Sequence, residues 1–375
     1  MYFLVLFYIK ILNTIKKILI IIQRSNGDVF FSQSLIDSLY DYYESPRIDL
    51  LVNDDTIALA EVLTKIKLIH KFSYRKKNDY QFKQEKNIIS KIFRKYDLSI
   101  NLTASDRSVL YAVLSSKNSI SAVEKNTHKS WWKKFLLSNY YFFDNEKHIL
   151  LNNLESLNIL KIDHENILKY PTVSEITIQK ISRKLKERKI DNFIIFHPSA
   201  QYSYKIYPEY LRNELLEKLN KLDIPIIITG GKNKIDSNIK KQLPNLSNLN
   251  DFIGETSLED YFALSHLSSA YIGMDTLNMH IAAAQNKRIF AIFGPTNLSM
   301  WAPWSNYSQT SARENTPIQD YDNITIFQAK MPCVACGNAG CDNNHNRSEC
   351  LYNIQPSSIF EQVKKWSEDI EVKLL

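Results

Sequence analysis

From Lys17 onward the chain alternates short runs of aliphatic and β-branched residues with longer stretches whose apolar positions recur every three to four residues. That alternation is the mark of stacked βαβ units: a parallel strand buried on both faces reads as a continuous apolar run, while its crossover helix hides a single stripe. In the first half the pattern predicts strands at Lys17–Gln23, Ile48–Asn53, Lys67–His70 and Leu98–Leu102, with helices near Phe30–Tyr42 and Asp55–Thr64. Between about Lys125 and Pro171 the pattern weakens and few strands stand out, which places a domain junction near Lys169–Val173. The second half predicts strands at Asn192–His197, Ile224–Thr229, Ala270–Gly273 and Arg288–Phe293, and helices at Tyr207–Leu222, Ser257–Leu267 and Thr276–Gln285. The expected class is α/β, with two Rossmann-like domains facing across a cleft and ligands held at the carboxyl ends of the strands.

Composition narrows the function classes. A length of 375 residues suits two domains, and 44% apolar with 23% charged residues argues against disorder and against a multi-span membrane protein. The net charge of +7 is spread over many lysines without a nucleic-acid-binding motif, so no nucleic-acid partner is expected. Acidic substrates or the anionic face of a membrane fit that charge better. Met1 to Leu12 is apolar but is followed by Lys16 and Lys17 and interrupted by Lys10, short of the roughly 20 apolar residues that span a bilayer. It reads either as an extension before the first strand or as a membrane-surface anchor.

Candidate chemistry falls at the predicted strand ends. Ser25-Asn26-Gly27-Asp28-Val29 follows the first strand. Asp28 there either caps the next helix or takes a proton from an attacking hydroxyl. Gly273-Met274-Asp275-Thr276-Leu277-Asn278-Met279-His280 ends a strand and opens a helix, where unpaired N–H groups and the dipole suit a phosphate. Thr276 adds a hydroxyl, and His280 lies one helical turn further on. His197-Pro198-Ser199-Ala200, Thr229-Gly230-Gly231-Lys232 and Phe293-Gly294-Pro295-Thr296 end strands on the same edge, with Ser199 and Lys205 as diphosphate contacts.

The run Ile272 to Pro295, with Asp275-Thr276, His280-Ile281-Ala282-Ala283-Ala284 and Phe293-Gly294-Pro295-Thr296, resembles the signature of family 9 glycosyltransferases, the heptosyltransferase group. Lys17 to Ile22 followed by Gly27-Asp28-Val29 resembles the opening of the same family. The resemblance implies a GT-B fold, inversion at the anomeric carbon and no catalytic metal. It implies that Asp28 is the general base, that Asp275, Thr276 and His280 hold the nucleotide diphosphate sugar with Ser199 and Lys205 near the diphosphate, and that Leu258 lines the base. One departure is Leu277, where the family commonly has Gly after Asp-Thr.

The implied layout is an apolar extension over 1–16, a Rossmann-like acceptor domain over 17–170, a nucleotide-sugar-binding domain over 171–355 and a C-terminal helix over 356–375. The implied reaction moves a heptose from ADP-heptose to an inner-core sugar of lipopolysaccharide, in the cytoplasm at the inner-membrane surface. Leu277 keeps open a same-fold transferase using another nucleotide sugar for outer core or capsule. A non-catalytic nucleotide-sugar binding protein is the remaining alternative. Inner-core sugars carry carboxylates and phosphates, so Lys133 and Lys134, with Lys129 and beside Trp131 and Trp132, are the expected acceptor contacts; core or surface packing is the plain alternative.

All four cysteines, Cys333, Cys336, Cys341 and Cys350, lie in one segment with His345. The spacing suits a four-ligand structural zinc site or, equally, a cluster of reduced thiols.

Overall fold

The computed structural model describes residues 15–75, 78–341 and 346–374. The segment Met1–Leu12, read above as an extension or anchor, lies outside the described residues. The chain divides into two compact units, Met1–Pro171 and Thr172–Leu375.

The first unit is built on six strands, β1 (Lys17–Ile22), β2 (Arg47–Asn53), β3 (Ile66–Phe72), β4 (Leu98–Asn101), β5 (Ser119–Val123) and β6 (Asn139–Phe142). Their order is β3-β2-β1-β4-β5-β6, and every neighbouring pair is parallel. β1 takes the centre because Ile18, Leu19, Ile20 and Ile21 are fully buried, with Ile20 level with Leu50 on one side and Ile100 on the other. The predicted Phe30–Tyr42 helix is two helices, Asn26–Phe31 and Gln33–Tyr42. At the break the Ser32 hydroxyl donates to Val29 O at 2.6 Å.

The weakly patterned stretch after Lys125 holds the helix Thr127–Leu136, β6 and the helix Ile149–Leu160. β5 escapes the periodicity reading because it is Ser-Ile-Ser-Ala-Val and buried throughout. Its Ser121 hydroxyl accepts from Asn101 Nδ2 at 2.8 Å, which offsets the burial of both polar groups.

The second unit has seven strands, β7 (Ile194–His197), β8 (Ile226–Ile228), β9 (Leu249–Asp251), β10 (Ala270–Met274), β11 (Arg288–Ile292), β12 (Ile318–Tyr321) and β13 (Ile324–Phe327). Their order is β12-β13-β11-β10-β7-β8-β9. All pairs are parallel except the edge pair β12 with β13. Without β12, this is the winding of the first unit repeated. Phe196, Leu215, Ile272 and Phe290 anchor the core. The last helix, Pro356–Leu374, adds the fully buried Ile359 and Val363.

In each sheet the direction of winding reverses once, between β1 and β4 and again between β7 and β10. Loops leaving the carboxyl ends of such a pair diverge and leave room for a ligand. At the second reversal β10 runs close against β7. Gly273 sits at φ +156° opposite His197, and a Cβ there would stand 2.4 Å from His197 O. Gly273→Ala is therefore expected to destabilise the second unit by roughly 2–4 kcal/mol. Urea titration checks this, and an unshifted midpoint would mean that the strand ends tolerate the methyl group.

Candidate active site

Asp28 lies just beyond β1, at the first reversal, and is 3% exposed. Its Oδ2 accepts from Ser25 N–H at 3.1 Å and Ser25 O–H at 2.6 Å, so the capping role read from sequence is present. Arg24 Nε stands 2.8 Å from Oδ1 as an ion pair, but its N–H misses the hydrogen-bond direction. Oδ1 is thus a buried acceptor with no hydrogen bond. One oxygen of the carboxylate is anchored on Ser25 and the other is buried against the Arg24 guanidinium. The Arg24 guanidinium lies 4.6 Å from the centre of the Phe143 ring, which fixes it from behind. The neighbouring loops are tied together, since Gln23 N–H donates to Thr103 Oγ1 at 3.0 Å.

Beyond β4 and β5 the same edge carries an open surface depression of about 530 Å³ lined by Asp106, Glu124, His128, Lys129 and Trp132. Lys133 was expected to reach an acceptor, and the structure corrects that expectation. Its side chain is fully buried, and its ammonium lies within 2.7–2.8 Å of both Glu124 carboxylate oxygens, Asp106 Oδ1 and Ala104 O. Desolvating an ammonium is costly unless every donor is met, and here every donor is. Lys133 therefore braces the loops after β4 and β5 and fixes two carboxylates at the wall of the depression. Lys134 is half-buried and lies over the rings of Phe142 and Tyr140, at 4.8 and 5.7 Å from their centres.

The sequence-predicted donor residues of the second unit all lie at carboxyl ends of its parallel strands. Ser199 and Lys205 follow β7, Leu258 follows β9, and Asp275, Thr276 and His280 follow β10. Lys205 Nζ lies 3.3 Å from Asp275 Oδ2, joining the loops across the second reversal. Thr276 is the N-cap of the helix Leu277–Ala284. Its hydroxyl is beside that of Tyr271, which donates to Met274 O, and its own capacity is unfilled. Leu258 opens the helix Leu258–Leu267, apart from this group on the far side of β8. Leu277 is the first residue of its helix and half-buried.

Sequence reasoning missed Thr229 and Asn278 as partners of His197. Thr229 Oγ1 lies 3.0 Å and Asn278 Nδ2 3.1 Å from His197 Nδ1. Asn278 stands in the quoted motif, so its place two residues after Thr276 was the available signal. Arg24 was missed as well, although it sits four residues before Asp28.

The Phe293-Gly294-Pro295-Thr296 turn is held from the cysteine segment. Ala335 N–H donates to Gly294 O at 3.3 Å and Gly337 N–H to Pro295 O at 2.6 Å. A Cβ on Gly294 would meet Leu351 at 2.9 Å. Cys333, Cys336 and Cys341 are exposed and Cys350 is buried. Burial, and then the neighbouring cysteines, push the Cys350 thiol up to about 12. Among the described residues, no group of three or more His, Cys, Asp or Glu is arranged to hold a metal ion. His345 lies outside them.

Burial pushes the imidazoles of His197 and His280 down to about 4, with Asp275 opposing the shift at His280. Both rings are neutral at pH 7 and act as hydrogen-bonding groups rather than cations. Unfolded histidine titrates near 6.5, so below that pH the unfolded chain takes up protons that the folded unit refuses. Stability is expected to fall as pH drops from about 6.5 to about 4, by on the order of 3 kcal/mol for each histidine. Denaturant unfolding across that range checks it, and His280→Gln should flatten the slope; an equal slope in the variant would show that His280 is not held neutral.

The sequence profile of glycosyltransferase family 9 (heptosyltransferase) matches residues 87–329. The chain is similar to lipopolysaccharide heptosyltransferase 3 of Escherichia coli, at 25% identity over 297 residues that cover 76% of this chain and 85% of that protein. Among solved structures it is similar to ADP-heptose lps heptosyltransferase II of E. coli, with TM-score 0.69, 19% identity and coverage of 95% and 99% of the two chains. It is also similar to E. coli heptosyltransferase WaaC with ADP-2-deoxy-2-fluoro heptose, with TM-score 0.66, 14% identity and coverage of 93% and 99%. These likenesses bear out the expected GT-B fold. With the family profile spanning most of the sequence, this chain belongs to glycosyltransferase family 9, the heptosyltransferases.

Proposed function

We propose that this heptosyltransferase moves a heptose from ADP-heptose to an inner-core sugar of lipopolysaccharide, with inversion and without a metal in the transfer step, on the cytoplasmic face of the inner membrane. The observation that carries this reading is the Asp28 carboxylate, buried at the first reversal with Oδ2 held by Ser25 and Oδ1 ion-paired with Arg24 but accepting no hydrogen bond. Oδ1 takes the proton from the acceptor hydroxyl as that oxygen bonds to the anomeric carbon. The bond from that carbon to the diphosphate oxygen breaks, and its electrons leave with ADP. Arg24 is the positioning residue that holds the carboxylate in place.

On the donor side, Lys205, the Thr276 hydroxyl and the N–H groups opening the helix Leu277–Ala284 meet the charge that grows on the diphosphate. Asp275 is an anion and suits sugar hydroxyls better than phosphate. Neutral His280 and Ser199 supply uncharged hydrogen bonds, and Leu258 lies along the nucleotide base. A relative solved with a fluorinated ADP-heptose supports this choice of donor. Leu277 favours one second reading, a different nucleotide sugar, because its side chain stands at the first turn of the phosphate-facing helix. On the acceptor side the reading moves from Lys133 to the depression at Trp132, where the indole gives a sugar ring a flat apolar face and Asp106 and Glu124 accept from its hydroxyls.

Asp28→Asn is expected to lower kcat by about a thousandfold while the donor Kd from calorimetry stays within about threefold. Turnover within about tenfold of wild type would reduce Asp28 to a helix cap. Calorimetry against a panel of nucleotide sugars should rank ADP-heptose first, and tighter binding of another donor would select the second reading. Treating the enzyme with EDTA is expected to leave the initial rate unchanged; loss of rate restored by magnesium or manganese would overturn the metal-free step.

A further inference from the structure

The helix Thr127–Leu136 has its usual polarity reversed. Lysine normally covers the outside of a surface helix, and tryptophan and phenylalanine the inside. Here Lys133 is fully buried, while Trp131 is 68%, Phe135 84% and Leu136 45% exposed. Trp131 and Phe135 are one turn apart and share a face. The strand that follows continues the surface with Tyr140 and Phe142, both about two-fifths exposed, and the Lys134 ammonium bridges them from above.

The helix and the strand that build this face contribute charge of one sign, the nearest carboxylates being Asp106 and Glu124 at the Lys133 ammonium. From Lys125 to Phe143 the sequence contains no Asp or Glu. The flanking acids are already engaged, Glu124 with Lys133 and Asp144 with Lys125. Lys129 and Lys134 form no ion pair among the described residues.

We propose that this face seats the enzyme on an anionic phospholipid surface. Trp131 and Phe135 insert at the boundary between headgroups and acyl chains, and Lys129 and Lys134 lie among the phosphates. A second copy of the chain is a poor occupant, because Lys129 and Lys134 of the two copies would face each other, while Asp106 and Glu124 are already paired with Lys133. Exposed aromatic side chains flanked by lysine ammonium groups match a lipid interface, which offers apolar depth and negative charge at adjacent levels. The depression at Trp132 opens from the same helix, so a lipid-anchored acceptor sugar would meet it near headgroup level. The proposal rests on the reading above only for the nature of that acceptor.

The full-length enzyme should sediment with vesicles of phosphatidylethanolamine and phosphatidylglycerol, and much less with phosphatidylcholine alone. Trp131→Ser with Phe135→Ser should weaken partitioning about tenfold or more. Lys129→Glu should weaken it about fivefold at low salt, with the difference shrinking as salt rises. Wild-type partitioning by the double variant would overturn the proposal. So would a monomer–dimer equilibrium in light scattering that the double variant abolishes while vesicle binding persists.

Phe135→Ser alone should transfer to an acyl-free acceptor oligosaccharide in solution within about twofold of wild type. A large loss there would assign the face to substrate instead of lipid. Vesicle binding without any sugar transfer by the wild type would sink the functional reading and leave this one standing.

Discussion

A crossover in a parallel sheet must carry the chain from the carboxyl end of one strand to the amino end of the next, and it does so with one hand. When successive crossovers change direction along the sheet, the loops leaving two adjacent strands part to opposite sides and their ends stay uncovered. This chain meets that constraint twice, between β1 and β4 and between β7 and β10. Asp28 sits at the first opening, and Lys205, Asp275 and Thr276 sit at the second. The candidate site residues are concentrated where the winding parts the loops at the strand ends.

The two edges solve different electrostatic problems. In the first unit the buried Asp28 carboxylate is compensated by Ser25, which donates to one oxygen, and by the Arg24 guanidinium beside the other. Lys133 then draws the loops after β4 and β5 together through two carboxylates. In the second unit burial strips His197 and His280 of charge, so the fixed charges at the reversal reduce to the Lys205–Asp275 pair. The Lys205 ammonium is thus partly neutralised by Asp275.

Strands made of Ile, Leu and Phe were legible from their apolar runs, as in β1, β7 and β11, and the ends of β1, β7 and β10 gave the positions of Asp28, Ser199 and Asp275. β5 was not legible, because two of its five residues are serines made compatible with burial only by partners on neighbouring elements. Local pattern carries no record of such tertiary satisfaction. Lys133 and Lys134 look alike in sequence, yet one is buried and the other lies over aromatic rings. The helix phase that separates them depends on where Glu124 and Asp106 end up. The four cysteines show a ligand spacing in the sequence, and the burial of Cys350 among them is set by packing that no local pattern records.

The second unit depends on the end of the chain to complete the rim. The core that supports β7, β10 and β11 includes Leu351, Ile359 and Val363, and the Gly294–Pro295 turn takes its hydrogen bonds from residues 335 and 337. Domains generally fold as units and in order of synthesis. On the ribosome the first unit therefore has all its residues in hand while the second still lacks the segment that fastens its ligand-facing turn. A chain that stalls before residue 335 has emerged thus holds a finished first unit and a second-unit sheet whose Gly294–Pro295 turn still lacks the two N–H groups that fasten it.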